Sequence, residues 1–221
     1  MKINNKKIFI YTIFLVILII FAIIASIKIY NIHSERNEYE DKNRNVVNDF
    51  KNYLNENEID NENNESKFDL KFEGYNVIGI IKIPKIELEY PILEETTDKT
   101  MKIAISRFWG GEVNSFGNLS LAGHNNYDGT MFGKNKNLQI GDIVELTDLN
   151  GKTIQYEIKE IFKTDPNDTS VLITDDENVR EVTLITCSKG RTERLIIKAF
   201  EINYLEENIW KRGLITKARN L

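Results

Sequence analysis

Hydrophobic and polar positions change their pattern sharply along this chain of 221 residues. Residues 8–27 contain no charged side chain. At about 1.5 Å per residue, a helix of that length spans a hydrocarbon core about 30 Å thick. The pattern therefore predicts a transmembrane anchor at residues 8–28.

Lys2, Lys6 and Lys7 precede this anchor. Because positively charged flanks stay on the cytoplasmic side, we predict that residues 1–7 are cytoplasmic and that the domain after the anchor is extracellular. A cleaved signal peptide is the competing interpretation. It is less favoured, because bulky isoleucines occupy the position three residues before the candidate cuts near residue 25.

Residues 29–67 form a polar juxtamembrane segment, rich in Asn, Glu and Lys and free of Gly and Pro. Apolar and aromatic side chains recur in it at roughly helical spacing: Tyr39, Val46, Val47, Phe50, Tyr53 and Leu54. This spacing predicts one amphipathic helix. The Asn/Glu tract at residues 55–65 is typical of a solvated linker, and we interpret it as a spacer between the membrane and the domain.

From residue 68 the hydrophobic period becomes that of β-strands. Extended runs follow at residues 77–83, 86–90, 118–124, 142–147, 152–161, 171–174, 181–187 and 194–202. Asn150-Gly151 is a strong hairpin signal between two of them. About seven or eight short strands with few helices predict a mainly β fold, a closed or nearly closed β-barrel at residues 68–204. The tail at residues 205–221 is expected to form a short surface helix around Trp210, with no second membrane segment.

The net charge and the cysteine count exclude several classes of function and site. The net charge of −5 provides no basic surface for nucleic acid, so no nucleic-acid partner is predicted. The single cysteine, Cys187, excludes an internal disulfide and a zinc site built from cysteines. An unpaired thiol in an extracellular domain is unusual enough to indicate a chemical use.

Three residues at strand ends carry the candidate chemistry. Cys187 ends one predicted strand, His124 ends another, and Arg194 begins the strand after Cys187. Only a thiolate attacks carbonyls, and an imidazole can take up the thiol proton and then protonate a departing amine. A guanidinium can stabilise the oxyanion, so the set is sufficient for acyl transfer. The other histidine, His33, follows the anchor and is expected to be a surface bystander.

Several separated motifs resemble those of the sortases, the membrane-anchored transpeptidases of Gram-positive bacteria. Thr183-Leu-Ile-Thr-Cys187 matches the Thr-Leu-x-Thr-Cys signature of that family. Leu121-Ala-Gly-His124 resembles the strand with the catalytic His, and Arg194-Leu-Ile-Ile-Lys-Ala199 resembles the strand that begins with the catalytic Arg. Ile78-Gly-Ile-Ile-Lys-Ile-Pro-Lys-Ile86 and Met131-Phe-Gly133 are also similar to family segments.

The resemblance covers residues 77–202, in the family's order and behind the expected anchor. It implies an eight-stranded sortase barrel and cleavage of a sorting signal like Leu-Pro-x-Thr-Gly between Thr and Gly, through a thioacyl-enzyme. The acyl group would pass to an amine. The implied partners are surface proteins with a C-terminal sorting signal and the amine of a cell-wall precursor.

Roles follow residue by residue from the resemblance. Cys187 corresponds to the nucleophile, His124 to the acid and base that protonates the leaving amine, and Arg194 to the group that steadies the substrate carbonyl and its oxyanion. Thr186 is a candidate substrate-binding residue, through its hydroxyl or backbone N–H. A purely strand-forming role for Thr186 is an equal alternative.

A protein-anchoring enzyme fits the sequence better than a pilin-polymerising one. Pilin-type sortases usually carry an Asp-Pro-aromatic lid motif before the barrel, whereas Asp165-Pro166 here is followed by Asn167. The haem-acquisition type carries a long helical insertion before the Cys strand, and residues 164–182 are too short for it. We predict no cofactor. The loop carboxylates Asp165, Asp168, Asp175, Asp176 and Glu177 resemble the calcium site of some members, but such clusters are usually only solvated.

The sequence also allows other interpretations of Cys187, His124 and Arg194. A membrane-tethered endopeptidase would hydrolyse the signal without transfer, and only a transpeptidase would make a ligated product when amine is added. A non-catalytic binding module would need Cys187, His124 and Arg194 to coincide by chance. A papain-like protease is disfavoured, because its Cys precedes its His and lies on a helix.

Overall fold

The structure is a computed structural model that describes residues 5–57, 70–174, 176, 178–188 and 192–202. The end of the predicted linker and the predicted helix around Trp210 lie outside the described residues. By its contacts the chain divides into two compact units, residues 1–42 and 43–221.

The first unit contains the N-terminal part of helix α1, Asn5–Asn57. Its apolar side chains at residues 8–27 are all exposed. Within the described part of the chain, α1 is the one helix that is long and apolar enough to cross a membrane. This agrees with the predicted anchor, because a helix with apolar side chains on every side is stable only where lipid or protein covers it.

The second unit begins with the last part of α1, which packs on the barrel. Val46, Val47 and Phe50 are buried there. The Asn43 amide donates a hydrogen bond to the Ile103 carbonyl oxygen at 2.7 Å. Full burial of an apolar side chain the size of Phe50 stabilises by about 1.5–3 kcal/mol. The predicted amphipathic helix is therefore confirmed as far as Asn57.

The barrel is built from strands that pair into one nine-stranded sheet. In chain order they are β1 Lys71–Phe72, β2 Tyr75–Ile83, β3 Leu88–Leu93, β4 Ile105–Trp109, β5 Gly117–Ala122, β6 Ile143–Asp148, β7 Thr153–Thr164, β8 Arg180–Cys187 and β9 Arg194–Glu201. The pairing order is β1-β2-β3-β4-β5-β8-β9-β7-β6, and β6 also pairs with β2. This last pairing closes β2–β9 into a barrel, which confirms the predicted eight-stranded barrel, and β1 extends only β2.

Alternation along the strands separates the barrel interior from its outer face. Leu119 and Leu121 of β5, and Val182 and Leu184 of β8, belong to the buried core. The residues between them point outward, so Cys187 lies on the outer face at the end of β8. The remaining helical pieces are short: α2 Thr100–Ile103 and 3₁₀ turns at Pro84–Ile86, Phe132–Asn137 and Ser170–Leu172.

The strand predicted at residues 86–90 has different bounds in the structure, Leu88–Leu93. The run predicted to stop at Pro91 continues to Leu93. Proline is tolerated here because the parallel partner β4 pairs with β3 only at Ile92 and Leu93, beyond the missing N–H. The expected Asn150-Gly151 hairpin is present between β6 and β7, with Gly151 at a φ of 78°.

Two other predictions of extended structure were wrong or incomplete. The run at 171–174 was predicted to be extended, but Ser170–Leu172 is a 3₁₀ turn closed by a bond from the Leu172 N–H to the Thr169 carbonyl. Strand β4 was missed. Its first residues are buried and its last ones, Phe108 and Trp109, are exposed, so it has no alternating pattern.

Candidate active site

Cys187 is the last residue of β8, and its neighbour across the antiparallel ladder is Arg194, the first residue of β9. The ladder continues one step further, where the Ser188 N–H donates to the Glu193 carbonyl at 2.9 Å. Cys187 is half-buried and its thiol is free. The strand register therefore pairs the residue that carries the free thiol with a residue whose guanidinium is permanently charged. In the structure Arg194 Nη1 lies 3.5 Å from the Glu193 carbonyl oxygen, which accepts from it.

His124 lies two residues after the end of β5, not within the strand as predicted. Its place is set by β8, because β5 and β8 are parallel and their carboxyl ends meet at the same edge. The last rung of this ladder is the bond from the Gly123 N–H to the Ile185 carbonyl, 3.2 Å long. The backbone then turns away at half-buried His124, next to the end of the Cys187 strand.

Two side-chain hydrogen bonds join the residues on either side of His124 to β8. Thr186 Oγ1 donates to the Gly123 carbonyl at 2.7 Å, and Asn125 Nδ2 donates to the Cys187 carbonyl at 2.7 Å. Thr186 is only 3% exposed. The Thr186 hydroxyl therefore donates its one proton to the backbone carbonyl directly before His124. This hydrogen bond joins the ends of β5 and β8.

Residues 123–132, here called the His124 loop, are held by hydrogen bonds within the loop and to Tyr90 of β3. The Phe132 N–H donates to the His124 carbonyl at 3.0 Å, and the Met131 N–H donates to the Tyr90 hydroxyl at 3.0 Å. Met131 has a φ of 49° and a ψ of −124°, which is a strained backbone for a residue with a side chain. A Cβ at Gly123 would come within 2.8 Å of the Phe132 ring, so the loop needs glycine there.

Sequence reasoning missed Asn125 and Tyr90. Asn125 was not predicted as a site residue, although its adjacency to His124 was an available signal. Tyr90 is buried and distant in sequence from the His124 loop, and nothing in its strand indicates that its hydroxyl reaches Met131. Both contacts depend on how strands far apart in the chain are placed.

The outer face next to Cys187 changes from apolar to polar along β8. Ile185 is half-buried two residues from Cys187, and its neighbours on β5 and β9 are the buried residues Ala122 and Ile196. These residues form an apolar surface that ends at the thiol. Such a surface can hold an extended apolar peptide segment beside the sulfur.

Further along the same face lies a buried polar network. Lys198 Nζ forms an ion pair with Glu181 Oε1 at 2.6 Å, and the Glu181 side chain is only 2% exposed. Thr183 Oγ1 donates to Asn118 Oδ1 at 2.9 Å. Asn118 Nδ2 in turn donates to the Val171 carbonyl at 3.1 Å. The network thereby fastens the connection between β7 and β8 onto the outer face of β5.

The loop carboxylates between β7 and β8 cap their own turns. Asp168 accepts hydrogen bonds from Ser170 and Thr164, and these bonds hold the pKa of its carboxyl below the ordinary value. Asp165 accepts from Asn167 in the same way. Among the described residues no group of three or more His, Cys, Asp or Glu side chains is arranged to hold a metal ion, and Asp175 and Glu177 lie outside that set.

In chemical terms, the site brings a free thiol, an imidazole-bearing loop and a guanidinium to one edge of the barrel. The three predicted residues come from β8, the His124 loop and β9, which are adjacent in the sheet. A nucleophile, a proton-transfer group and an oxyanion partner in this arrangement are the components that acyl transfer needs.

Comparison with known proteins gives one consistent family. Residues 81–202 match the Sortase domain. Sortase A of Bacillus anthracis is 32% identical over 124 residues, which cover 55% of this chain and 58% of that protein. The chain therefore spans less than two thirds of the length of this relative.

Solved structures agree with the family match. A Sortase D5 transpeptidase from Clostridium perfringens is 30% identical with a TM-score of 0.58, covering 73% of this chain and 98% of that one. Sortase A from Corynebacterium diphtheriae is 27% identical with a TM-score of 0.53, covering 58% and 61% of the two chains. The matched region contains the strands that carry Cys187, Arg194 and the residues before His124. This chain belongs to the sortase family.

Proposed function

We propose that this chain is a membrane-anchored cysteine transpeptidase that cleaves a sorting signal of the Leu-Pro-x-Thr-Gly kind between Thr and Gly and transfers the acyl part to an amine of the cell wall. The observation that carries this proposal is the direct cross-strand pairing of Cys187 with Arg194, beside the parallel strand that leads to His124. Family membership supplies the reaction class.

In the first half-reaction, the Cys187 thiol gives its proton to the His124 imidazole, and the sulfur attacks the threonine carbonyl of the bound signal. The oxyanion that forms is stabilised by the Arg194 guanidinium, whose charge and planar geometry need no reorganisation. His124 gives a proton to the glycine nitrogen as the C–N bond breaks. The product is a thioester between Cys187 and the threonine carbonyl, and the glycine-containing fragment leaves.

In the second half-reaction, an amine attacks the thioester carbonyl. His124 takes the proton that the amine loses, a new amide bond forms as the C–S bond breaks, and Cys187 leaves as the thiolate, which recovers the proton from His124. The apolar surface at Ile185, Ala122 and Ile196 suits the apolar part of the signal, upstream of the reacting carbonyl. In this proposal the peptide comes from surface proteins with a C-terminal signal.

The proposed cellular arrangement follows the anchor. The apolar helix at residues 8–28 would hold the N-terminus in the cytoplasm and the barrel outside, where cell-wall precursors carry the accepting amine. We place the enzyme in the protein-anchoring type, because its one Asp-Pro pair, Asp165-Pro166, follows the His124 strand and is continued by Asn167 rather than by an aromatic residue.

The test uses the full chain, purified in detergent, with a library of pentapeptide sorting signals. Each peptide is incubated with and without a small amine, and mass spectrometry detects free and ligated products. We expect a ligated product that needs both the amine and Cys187. Cleavage without ligation would favour the hydrolase alternative. A library with no cleaved member, or equal cleavage by the Cys187→Ala variant, would refute the proposed function.

A further inference from the structure

The side chain of Asn125 replaces a backbone hydrogen bond of the β5–β8 ladder next to Cys187. In a parallel ladder, donors from one strand reach carbonyls of the other at every second residue. The Gly123 N–H donates to the Ile185 carbonyl, so the next rung would run from the backbone of residue 125 to the Cys187 carbonyl. The chain turns at His124 instead, and Asn125 Nδ2 reaches that carbonyl at 2.7 Å.

The Cys187 carbonyl does not take part in the hydrogen bonds between β8 and β9. Ser188 and Glu193 form a hydrogen-bonded pair of the β8–β9 ladder. Because such pairs alternate with non-hydrogen-bonded ones, Cys187 and Arg194 are a non-hydrogen-bonded pair, and the Cys187 carbonyl points toward β5. Asn125 therefore completes the ladder at the residue that carries the thiol.

We infer that Asn125 is a positioning residue, which fixes the Cys187 backbone against the His124 loop and so sets the approach of the imidazole to the sulfur. This inference rests on the proposed function. Asn125 follows His124 directly, and its backbone forms a bridge with Met131, so the direction of its side chain is set by the loop. Together with the Thr186 bond to Gly123, it fastens both flanks of His124 to β8.

The bond has a kinetic consequence and little effect on global stability. Asn125 is exposed, so water can replace a lost partner and the barrel core is untouched. Misplacement of a catalytic group by about 1 Å can cost as much as 10²-fold in rate, because reacting groups must be held at contact distance. Loss of the amide donor should therefore lower kcat more than it raises KM.

The neighbouring Asn126 provides a matched control. It has the same side chain in the same loop, but its amide donates to Thr130 Oγ1 at 2.9 Å, within the His124 loop itself. Loosening the loop in general would affect both positions, whereas loss of the rung to Cys187 would affect only Asn125. Asn125→Asp tests the donor itself, because an ionised carboxylate of the same shape can only accept.

The experiment compares Asn125→Ala, Asn125→Asp, Asn125→Gln and Asn126→Ala with the unmodified full chain in detergent. With one cleavable sorting peptide, we expect Asn125→Ala and Asn125→Asp to lose about tenfold in kcat with KM changed less than about twofold. Asn125→Gln should recover part of the loss, and Asn126→Ala should stay within about twofold. Melting temperatures should differ little. An Asn125→Ala rate within twofold of wild type, or an equal loss in Asn126→Ala, would overturn the inference.

A second readout separates this inference from the proposed function. Alkylation of Cys187 by iodoacetamide needs no peptide. Its rate reports how well the His124 imidazole removes the proton from the thiol, because only the thiolate is alkylated. We expect Asn125→Ala to slow alkylation at neutral pH toward the rate of His124→Ala, with Asn126→Ala at the wild-type rate. If wild type cleaves no peptide, the proposed function fails and alkylation still decides the role of Asn125. Wild-type alkylation in Asn125→Ala would refute that role.

Discussion

Cys187 and Arg194 face each other across the β8–β9 ladder as a non-hydrogen-bonded pair. In such pairs the Cα atoms are only about 4.5 Å apart and the side chains lie on the same face. The thiol and the guanidinium therefore start from the closest backbone spacing that a sheet allows. A strand also fixes the direction in which each side chain leaves the backbone, so the Cys187 and Arg194 side chains start from the same face of the sheet before any substrate arrives.

The first prediction concerns which arginine assists the reaction. Loss of one preorganised oxyanion donor typically costs about 10²–10³ in rate, so we expect Arg194→Ala to lose at least about 10² in kcat/KM. Arg194→Lys should recover little, because Lys lacks the planar fork. Both variants are measured with one fluorogenic sorting peptide.

Arg191 competes with Arg194 for this role in the sequence, because it also follows Cys187 closely, directly after Gly190. It lies outside the described residues. Because Arg191 is expected from the sequence to be solvated in a polar loop, Arg191→Ala should change kcat/KM by less than about tenfold. A larger loss at Arg191 than at Arg194 would show that the cross-strand pair is not the catalytic one.

The second prediction tests the nucleophile and its proton-transfer group. Cys187→Ala should abolish cleavage while the β-rich circular dichroism stays unchanged, because half-buried Cys187 contributes little to the core. Cys187→Ser should be nearly as inactive, since a hydroxyl is far less acidic than a thiol. The measurement is peptide turnover by the full chain.

Histidine variants complete this test. His124→Ala should be inactive, whereas His33→Ala should keep the wild-type rate, because His33 belongs to the other unit of the chain. Turnover retained in Cys187→Ala would exclude covalent catalysis by this thiol, and turnover retained in His124→Ala would remove the imidazole from the mechanism.

Thr186 provides the third prediction. Its hydroxyl bond to the Gly123 carbonyl should be kept in Thr186→Ser and lost in the similarly shaped Thr186→Val. Removing one partner of a buried hydrogen bond costs about 1–3 kcal/mol. We expect Thr186→Val to lower both the unfolding free energy and kcat, and Thr186→Ser to stay close to wild type in both. Equal activity of the two variants would favour the purely strand-forming role of Thr186.

Much of the barrel was predictable, because alternation is a local signal. The β8 and β9 segments show β-branched and apolar residues with no glycine or proline, and both were predicted within one residue of their observed bounds. Strand β4 was not predictable in this way, since burial changes along its length instead of alternating. The turn at Ser170–Leu172 accepts a hydrogen bond from Asn118 of the distant strand β5, which periodicity cannot indicate.

The chemistry of the site was more predictable than its geometry. Cys187, His124 and Arg194 were found from residue type, strand ends and family motifs. The rung from Asn125 to Cys187 follows from the parallel register of β5 and β8, and neighbouring strands in the sheet are far apart in the chain. The Tyr90 contact to the His124 loop has the same origin. Such contacts need the fold before they can be stated.

The fourth prediction concerns topology. Because lysines precede the apolar segment, the barrel should lie outside the membrane. Protease added to intact protoplasts should digest the domain after residue 31 and leave a short membrane-protected fragment. A domain that resists protease until the membrane is broken would contradict this orientation. A cytoplasmic protein in the same cells, assayed in parallel, shows whether the membranes stayed sealed.

The last prediction uses the buried ion pair between Lys198 of β9 and Glu181 of β8. Their side chains are 14% and 2% exposed, so neither charge can turn to water when its partner is removed. Breaking a buried pair by losing one partner typically costs about 3–5 kcal/mol, whereas replacing both charges costs far less. We expect Lys198→Met to lose about that much unfolding free energy, and the double variant Lys198→Met with Glu181→Gln to recover most of it.

Lys82→Met is the matched control, because its cross-strand pair with Glu145 leaves Lys82 49% exposed and surface pairs contribute about 0–1 kcal/mol. Urea unfolding followed by circular dichroism measures all three variants. If Lys198→Met is no more destabilising than Lys82→Met, the Lys198–Glu181 pair is not desolvated in solution.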